Sequence, residues 1–321
     1  MEIQKRSLKC FPVQFFAVIM GFSGLTIVYA KAFHILGFPY SIYEVLLFVD
    51  TILFFVIFGA YLLKWVYYPS EVKAEFNHPV KSAFAPAISI SFLLLSISYY
   101  DYDPAVAVTF WFIGAPLHLY FTYITMKFWI DNTFNIGHIS PAWFIPIVGN
   151  VLVPVVGVDC MPEYVSLFYF SIGIFFWIVL FAIITYRMIF HHPLAKRLLP
   201  TFFILIAPPA VGFISYFRIT FGSIDLTSQF LYCIALFTFF LMFFMLDKFT
   251  KIEFFISWWA YTFPMAAMSI ATILLYLVFH STLLYIGSIL LIVLTMTVVA
   301  IVSYKTIEAI KKEQICISEE S

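Results

Sequence analysis

Charged residues are scarce in this sequence. Only 11% of its 321 residues are Asp, Glu, Lys or Arg, whereas 64% are hydrophobic and the mean hydropathy is +1.02. This composition excludes a soluble domain, which needs a polar surface, and predicts a polytopic membrane protein in contact with the lipid bilayer. Because the formal net charge is zero and no basic tract stands out, a nucleic-acid partner is not expected.

Residues that carry chemistry are also scarce. The four cysteines form no CxxC pair, and the sequence has no HExxH motif and no nucleophile elbow. His34 and His118 are single intramembrane histidines without an i, i+4 partner, which argues against a haem or metal site. We therefore predict no cofactor, no metal and no enzymatic activity, and we interpret both histidines as hydrogen-bonded structural residues.

Polar and helix-breaking clusters divide the apolar sequence into ten predicted membrane spans. At 1.5 Å per residue, each can cross about 30 Å of hydrocarbon, although the fifth is short. Together they predict a single transmembrane domain over residues 1–321 with short tails. The predicted spans are residues 11–36, 40–67, 79–99, 104–128, 141–158, 163–189, 200–221, 226–246, 254–279 and 282–304.

The distribution of basic residues predicts the orientation of the chain. Every Lys and Arg except Lys31 and Arg218 lies in the two tails or in and beside the loops after spans two, four, six and eight. Because basic residues favour the cytoplasmic side, both termini are expected in the cytoplasm of a cell whose plasma membrane holds the protein.

The odd-numbered spans differ in kind from the even-numbered ones. Four odd spans carry a proline in mid-segment, at intervals of about 60 residues, and proline breaks or bends a membrane helix. The four are Pro86, Pro146, Pro208 and Pro264. In the first span, where the proline lies at the start, Gly21 and Gly24 are expected to supply the bend. Small residues also let the odd spans pack closely.

We therefore predict an all-α membrane protein of ten transmembrane helices, arranged as five helical hairpins around a central pore. The kinked odd spans form the inner ring, and the even spans, with unbroken apolar runs, face the lipid. The inner spans contain no Asp, Glu, Lys, Arg or His over residues 11–30, 82–100, 141–158, 200–217 and 254–279.

That absence favours a channel over a coupled carrier. Carriers and pumps usually hold ions or protons on intramembrane carboxylates, and an apolar path binds ions weakly, which suits fast conduction. Backbone N–H groups at helix breaks then favour anions. The chief alternative uses Glu44 and Asp50 of span two as a proton-coupling pair. We prefer to place one at the membrane surface and pair the other with a neighbouring helix or subunit.

Two further groups of charges have alternative interpretations. Arg218 either concentrates external anions or pairs with Asp225. His191, His192, Lys196 and Arg197 either gather anions at the pore mouth or form an ordinary cytoplasmic loop; the ordinary loop is preferred.

Several strings resemble the tellurite-resistance/dicarboxylate transporter family, which includes bacterial TehA proteins and the slow anion channels of plant guard cells. They are EFNHPVK at 75–81 leading to FAP at 84–86, IVGN at 147–150, WWAYTFPM at 258–265, and FPV at 11–13 with MGFS at 20–23. The resemblance covers essentially the whole chain.

The resemblance implies a homotrimer in which each protomer has its own pore, closed near mid-membrane by a phenylalanine. Phe263 matches this gate and Phe84 matches a second pore-facing phenylalanine. The function expected is a gated channel for small inorganic anions such as chloride or nitrate; the alternative is a proton-coupled or facilitative carrier of dicarboxylate, sulfite or tellurite. Residues expected to line the pore are Phe16, Met20, Gly21, Ala85, Ile145, Gly149, Ala207, Val211, Thr262 and Ala267.

Overall fold

A computed structural model describes residues 8–315, and within that range the chain is helical without strands. It contains the ten predicted spans, each long and apolar enough to cross a membrane. They are Val13–Leu36, Tyr40–Tyr67, Lys81–Tyr99, Pro104–Asp131, Pro141–Cys160, Glu163–Phe190, Lys196–Ile219, Leu226–Phe244, Ile256–Phe279 and Thr282–Lys311. Shorter helices outside the spans are Leu8–Cys10, Pro69–Phe76, Ile136–His138 and Leu246–Thr250.

Burial alternates along the chain between odd and even spans. In the most apolar window of each odd span, 78 to 94% of the residues are buried, whereas in the even spans only 28 to 39% are. An odd span is therefore surrounded by protein on nearly all sides, and an even span presents most of its apolar surface outward. This alternation is what an inner ring and an outer, lipid-facing ring require.

All five odd spans begin with a 3₁₀ helix and continue as an α-helix. In four of them, the fifth span described below and three others, the change comes within two residues of the proline that the sequence singles out. The missing N–H of proline cannot complete an α-helical bond, so the tighter winding ends where the proline begins a new α-helix. The paired segments are Lys81–Phe84 with Ala87–Tyr99, Lys196–Ile206 with Ala207–Ile219, and Ile256–Tyr261 with Thr262–Phe279.

The fifth span is the most broken. It consists of four short segments that are 3₁₀, α, 3₁₀ and α in turn: Pro141–Phe144, Ile145–Val148, Gly149–Leu152 and Pro154–Cys160. Asn150 supports the middle of this path by donating from Nδ2 to the carbonyl of Ile147 and to Thr122 Oγ1, both at 2.8 Å. Side-chain donors of this kind satisfy carbonyl groups that an irregular membrane helix leaves unpaired.

The first span is not bent at its glycines. Its α-helix, Phe16–Leu36, continues through Gly21 and Gly24 without a break, so the expected bend is not present. A Cβ atom on Gly21 would overlap Thr262 Oγ1 and lie 2.8 Å from the Trp259 ring, and one on Gly24 would lie 2.8 Å from the Ala266 Cβ. The two glycines instead let the first and ninth spans pack in direct contact.

Gly21→Ala is expected to destabilise the protein by about 1–3 kcal/mol, because the added methyl group overpacks a buried interface. Gly59→Ala is the matched control: Gly59 lies on the second span, and an added Cβ would meet no atom within 4 Å. Thermal unfolding of the detergent-solubilised proteins compares the two. Equal melting temperatures for both variants and the wild type would contradict the close packing.

The string EFNHPVK at 75–81 contacts the second span and, through Lys64, the residues just before the first span. Lys64 is buried, and its Nζ lies 3.0 Å from Glu75 Oε1 and 2.8 Å from the carbonyl oxygen of Phe11. Tyr61 donates its hydroxyl to Glu75 Oε2 at 2.9 Å. His78 Nδ1 accepts the N–H groups of the two residues at 80 and 81. The string thus fixes a turn and anchors it to the first two spans.

Candidate functional site

Two cavities follow each other along the axis of the odd spans, and all five odd spans contribute to both walls. The near cavity, of about 70 Å³, lies on the side of the 3₁₀ helices, where the described chain also begins and ends. The far cavity, of about 330 Å³, lies toward the opposite ends of the spans. A continuous path along this axis would cross the protein through both cavities.

Three apolar residues belong to the walls of both cavities: Leu152, Val211 and Phe263. They come from the fifth, seventh and ninth spans and therefore surround the boundary between the cavities. Phe263 is only 9% exposed, and its Cδ2 lies 3.4 Å from the point where a Gly24 Cβ would stand. Phe263, the largest side chain at the boundary, therefore packs against Gly24 of the first span and directly precedes Pro264 in the chain.

The structure brings most of the predicted pore residues to these cavities. Phe84 lines the near cavity, and so do four of the predicted lining residues: Met20, Ile145, Gly149 and Ala207. Val211 lines both cavities, and Ala267 lines the far cavity. Pro208 and Pro264 also line the near cavity, whereas Pro86 and Pro146 lie in the backbone behind it.

Four predicted lining residues lie away from both cavities. Phe16 is fully buried and packs edge-on against Tyr61 of the second span, with 5.6 Å between ring centroids. Gly21 faces the ninth span, as described above. Thr262 donates its hydroxyl to the Trp259 carbonyl at 2.7 Å, within the ninth span. Ala85 lines a separate groove beside the fourth span.

The far cavity carries the charged side chains that the near cavity lacks. Lys31 Nζ contacts Asp101 Oδ2 at 2.8 Å, and His34 Nε2 lies 3.6 Å from the same oxygen. On the opposite wall, Arg218 forms an ion pair with Asp159. Its Nε donates to the carbonyl oxygen of Val155 at 2.9 Å. Two ion pairs therefore lie at this cavity, and their four residues come from the first, third, fifth and seventh spans or the loops that follow them.

Tyr100 contacts the ion pair of Arg218 and Asp159. Arg218 Nη2 donates to its hydroxyl at 3.2 Å, and the guanidinium carbon lies 5.1 Å from its ring centroid. Burial raises the pKa of the Tyr100 hydroxyl, against the opposing effect of the Arg218 charge, so the phenol stays neutral and acts as a hydrogen-bond acceptor toward Arg218.

The pairing of Arg218 with Asp225, one of the two sequence interpretations, is wrong. Asp225 instead caps the eighth span: its carboxylate accepts the Ser228 N–H at 2.9 Å and the Tyr216 hydroxyl at 2.6 Å. These hydrogen bonds, that of Tyr216 first, lower the pKa of Asp225 below its ordinary value. Arg218 is thus available to the far cavity with Asp159 as its counter-ion.

The two carboxylates of the second span do not form a pair. Asp50 is fully buried and accepts a hydrogen bond from Ser23 Oγ at 2.7 Å, which connects the second span to the first. Glu44 is exposed on the outer face. Neither contributes to the wall of the near or the far cavity. This arrangement agrees with the structural interpretation rather than with a proton-coupling pair.

The remaining histidines and basic residues also lie off the path. His118 is fully buried behind Gly149, and its Nδ1 is 2.9 Å from Ser89 Oγ. In the cluster at 191–197, the two histidines, Lys196 and Arg197 are exposed, and none of them lines either cavity. Among the residues described, no group of three or more His, Cys, Asp or Glu could hold a metal ion.

Sequence reasoning missed Leu152 and Tyr100. Leu152 is one of many aliphatic residues in an apolar span, so its type gives no signal of its position at the cavity boundary. Tyr100 follows directly on Tyr99 at the end of the third span, and its proximity to Asp101 was the available signal. Lys31 was noted for its position but was given no function.

Comparison with known proteins gives consistent matches. An S-type anion channel of Arabidopsis thaliana, SLAH2, is 30% identical over 271 residues, which are 82% of this chain and 52% of the plant protein. An uncharacterized transporter of Methanocaldococcus jannaschii is 27% identical over 296 residues, covering 85% of this chain and 86% of its own. The tellurite resistance protein TehA homolog of Haemophilus influenzae is 23% identical over 263 residues, covering 80% and 79%.

A family model described as voltage-dependent anion channel, SLAC1, matches residues 10–307 and so includes all ten spans except the last turn. At the level of the family, the function is anion transport across a membrane by channels and transporters, not enzymatic catalysis. With ten membrane spans and a match over nearly its whole length, this chain belongs to the SLAC1 family of voltage-dependent anion channels, which includes the TehA-like proteins.

Proposed function

We propose that this protein is a gated channel that conducts small monovalent anions, such as chloride and nitrate, through a pore closed by Phe263. The observation that carries the proposal is the pair of cavities on the axis of the odd spans, separated by Leu152, Val211 and Phe263. A narrow ring of three apolar side chains excludes water, and an ion does not cross a dry constriction. Rotation of the Phe263 ring toward one cavity opens the path.

The near cavity supports selection of anions by backbone dipoles. Its wall includes residues at or near the first turn of the α-helices Ala87–Tyr99, Ala207–Ile219 and Thr262–Phe279. The first N–H groups of the latter two α-helices donate to carbonyls of the preceding 3₁₀ helices, so it is the summed dipoles of the three helices, with their positive ends toward this cavity, that favour an anion over a cation. The described residues of the near-cavity wall include no carboxylate to oppose it. Selection among anions then follows the cost of dehydration.

We further propose the assembly and orientation that the family implies: a homotrimer with one pore per protomer, in the plasma membrane, with both chain ends in the cytoplasm. The exposed apolar faces of the even spans offer the area for subunit contacts and for lipid. On this orientation the near cavity opens toward the cytoplasm, and the far cavity with its two ion pairs opens to the outside.

The channel proposal is tested by recording current from the purified protein in planar bilayers under a chloride gradient, then replacing chloride with nitrate or malate and exchanging the cation. A reversal potential that follows the anion gradient and ignores the cation supports the proposal. Accumulation of substrate against its gradient only when a proton gradient is present would instead establish a carrier.

Asp50→Asn separates the channel from a proton-coupled carrier. We expect the variant to keep its anion flux, with at most about a twofold change, because the asparagine oxygen can still accept the Ser23 hydroxyl and Asp50 lines neither cavity. The measurement is anion flux into liposomes with and without a pH gradient. Flux that depends on the pH gradient in the wild type and is lost in Asp50→Asn would overturn this expectation.

A further inference from the structure

The far cavity has cationic side chains with hydrogen-bond donors to spare. Lys31 Nζ, with three N–H bonds, contacts Asp101 alone among the described residues. The guanidinium of Arg218 uses Nε and Nη2 for its partners, and Nη1 has none within the described chain. Both residues line the far cavity, together with Asp101, whereas Asp159 does not. The wall therefore carries two cations and one carboxylate.

The size of the cavity and its shielding suit a small ion. About 330 Å³ is room for one hydrated or partly hydrated inorganic anion and several water molecules, since a water occupies about 30 Å³ in the liquid. The side chains of Lys31 and Arg218 are 26% and 31% exposed, so their charges are only partly screened by solvent. The remainder of the wall is largely apolar.

We propose that the far cavity is a binding site for a small inorganic anion, held by Lys31 and Arg218, and that Asp101 and Asp159 weaken this site as competing counter-ions. The anion takes the donors that the two carboxylates leave unused. This inference deepens the proposed function, because the bound anion is the conducted species waiting at the constriction. Binding itself does not require that the channel opens.

Removing the cation Lys31 and removing either carboxylate, Asp101 or Asp159, should change anion binding in opposite directions. Lys31→Gln removes a cation and should weaken anion binding, whereas Asp101→Asn and Asp159→Asn remove a competitor and should strengthen it. We expect changes of about threefold to tenfold in each direction for partly exposed charges. If the ion pairs were only structural, the loss of either partner would break the same contact, and both variants would change in the same direction.

Binding is measured on the purified protein in detergent by the broadening of the chloride-35 magnetic resonance line, and by its reversal on addition of nitrate. The same titration at constant ionic strength is made for wild type, Lys31→Gln, Asp101→Asn and Asp159→Asn. A tighter site in the aspartate variants and a weaker one in Lys31→Gln supports the proposal. Unchanged affinity, or changes of one sign in all three, overturns it.

Two controls keep the result interpretable. Lys305→Gln removes a cation from the tenth span that lines neither cavity, and should leave chloride binding unchanged. If Lys31→Gln does not fold, the aspartate variants still decide the question, because damage to the structure does not produce a gain in affinity. Opposite shifts without any current would support the site and reject the channel; current with no such shifts would support the channel and reject the site.

Discussion

Phe263→Ala is expected to increase the anion current of the reconstituted protein by about tenfold or more, which corresponds to at least about 1.4 kcal/mol removed from the barrier to conduction. Phe263 has the largest side chain of the three that separate the cavities, and replacing it with a methyl group joins the near cavity to the far one. Water then fills the constriction. The measurement is current in planar bilayers at equal protein density, with chloride as the charge carrier.

A second phenylalanine supplies the matched control. Phe213 lies on the seventh span, is fully buried, lines neither cavity and packs edge-on against Tyr232 at 5.7 Å between centroids. Phe213→Ala leaves a cavity in the packed interior and should cost about 3–5 kcal/mol of stability without increasing the current. A Phe263→Ala variant that unfolds like Phe213→Ala and conducts no better than the wild type would assign Phe263 to packing.

The difference between the two phenylalanines is also a measure of what a sequence can tell. Forty-one phenylalanines share the same chemistry, and the odd spans are apolar on every side, so no amphipathic pattern distinguishes a wall from a core. Phe16 illustrates the difficulty: it is four residues from Met20 on one helix, yet Met20 lines the near cavity and Phe16 packs against the second span. The number and approximate positions of the spans were predictable, because a long apolar run can be recognised without knowledge of its neighbours. Their ends were less predictable: the tenth span was predicted to end at 304 and continues to Lys311.

Proline positions predicted where the inner helices are irregular, but not how. A missing N–H removes one α-helical hydrogen bond, and Pro208 and Pro264 stand where the 3₁₀ winding ends, although Pro116 lies inside the continuous α-helix Pro104–Asp131. The long 3₁₀ segment Lys196–Ile206 was not predicted, because its winding depends on packing against neighbouring helices. Whether a glycine bends a helix or accommodates a neighbour likewise depends on the neighbour, as Gly21 shows.

The partners of charged residues were the least predictable feature. Arg218 and Asp225 are close in sequence, and this closeness suggested a pair, yet the fold joins Arg218 to Asp159 on another span. Proximity along the chain matters little when five helices end around one cavity, because each end then has several neighbours from elsewhere in the sequence.

Lys64→Met is expected to lower the free energy of unfolding by about 3–5 kcal/mol, because it leaves the buried Glu75 carboxylate without its cation. The side chains of Lys64 and Glu75 are only 2% and 12% exposed, and their charged atoms are 3.0 Å apart. The lysine also donates to the Phe11 carbonyl oxygen, so the substitution loosens the start of the first span. Thermal unfolding of the solubilised protein measures the loss as a lower melting temperature.

Restoring neutrality should recover much of that stability. In Lys64→Met combined with Glu75→Gln no buried charge remains, and Tyr61 can still donate its hydroxyl to the glutamine oxygen. Lys305→Met is the surface control, since the Lys305 and Glu308 side chains are 41% and 30% exposed, and we expect a change below about 1 kcal/mol. A double variant as unstable as Lys64→Met would mean that the bond to the Phe11 carbonyl, and not the ion pair, holds these segments together.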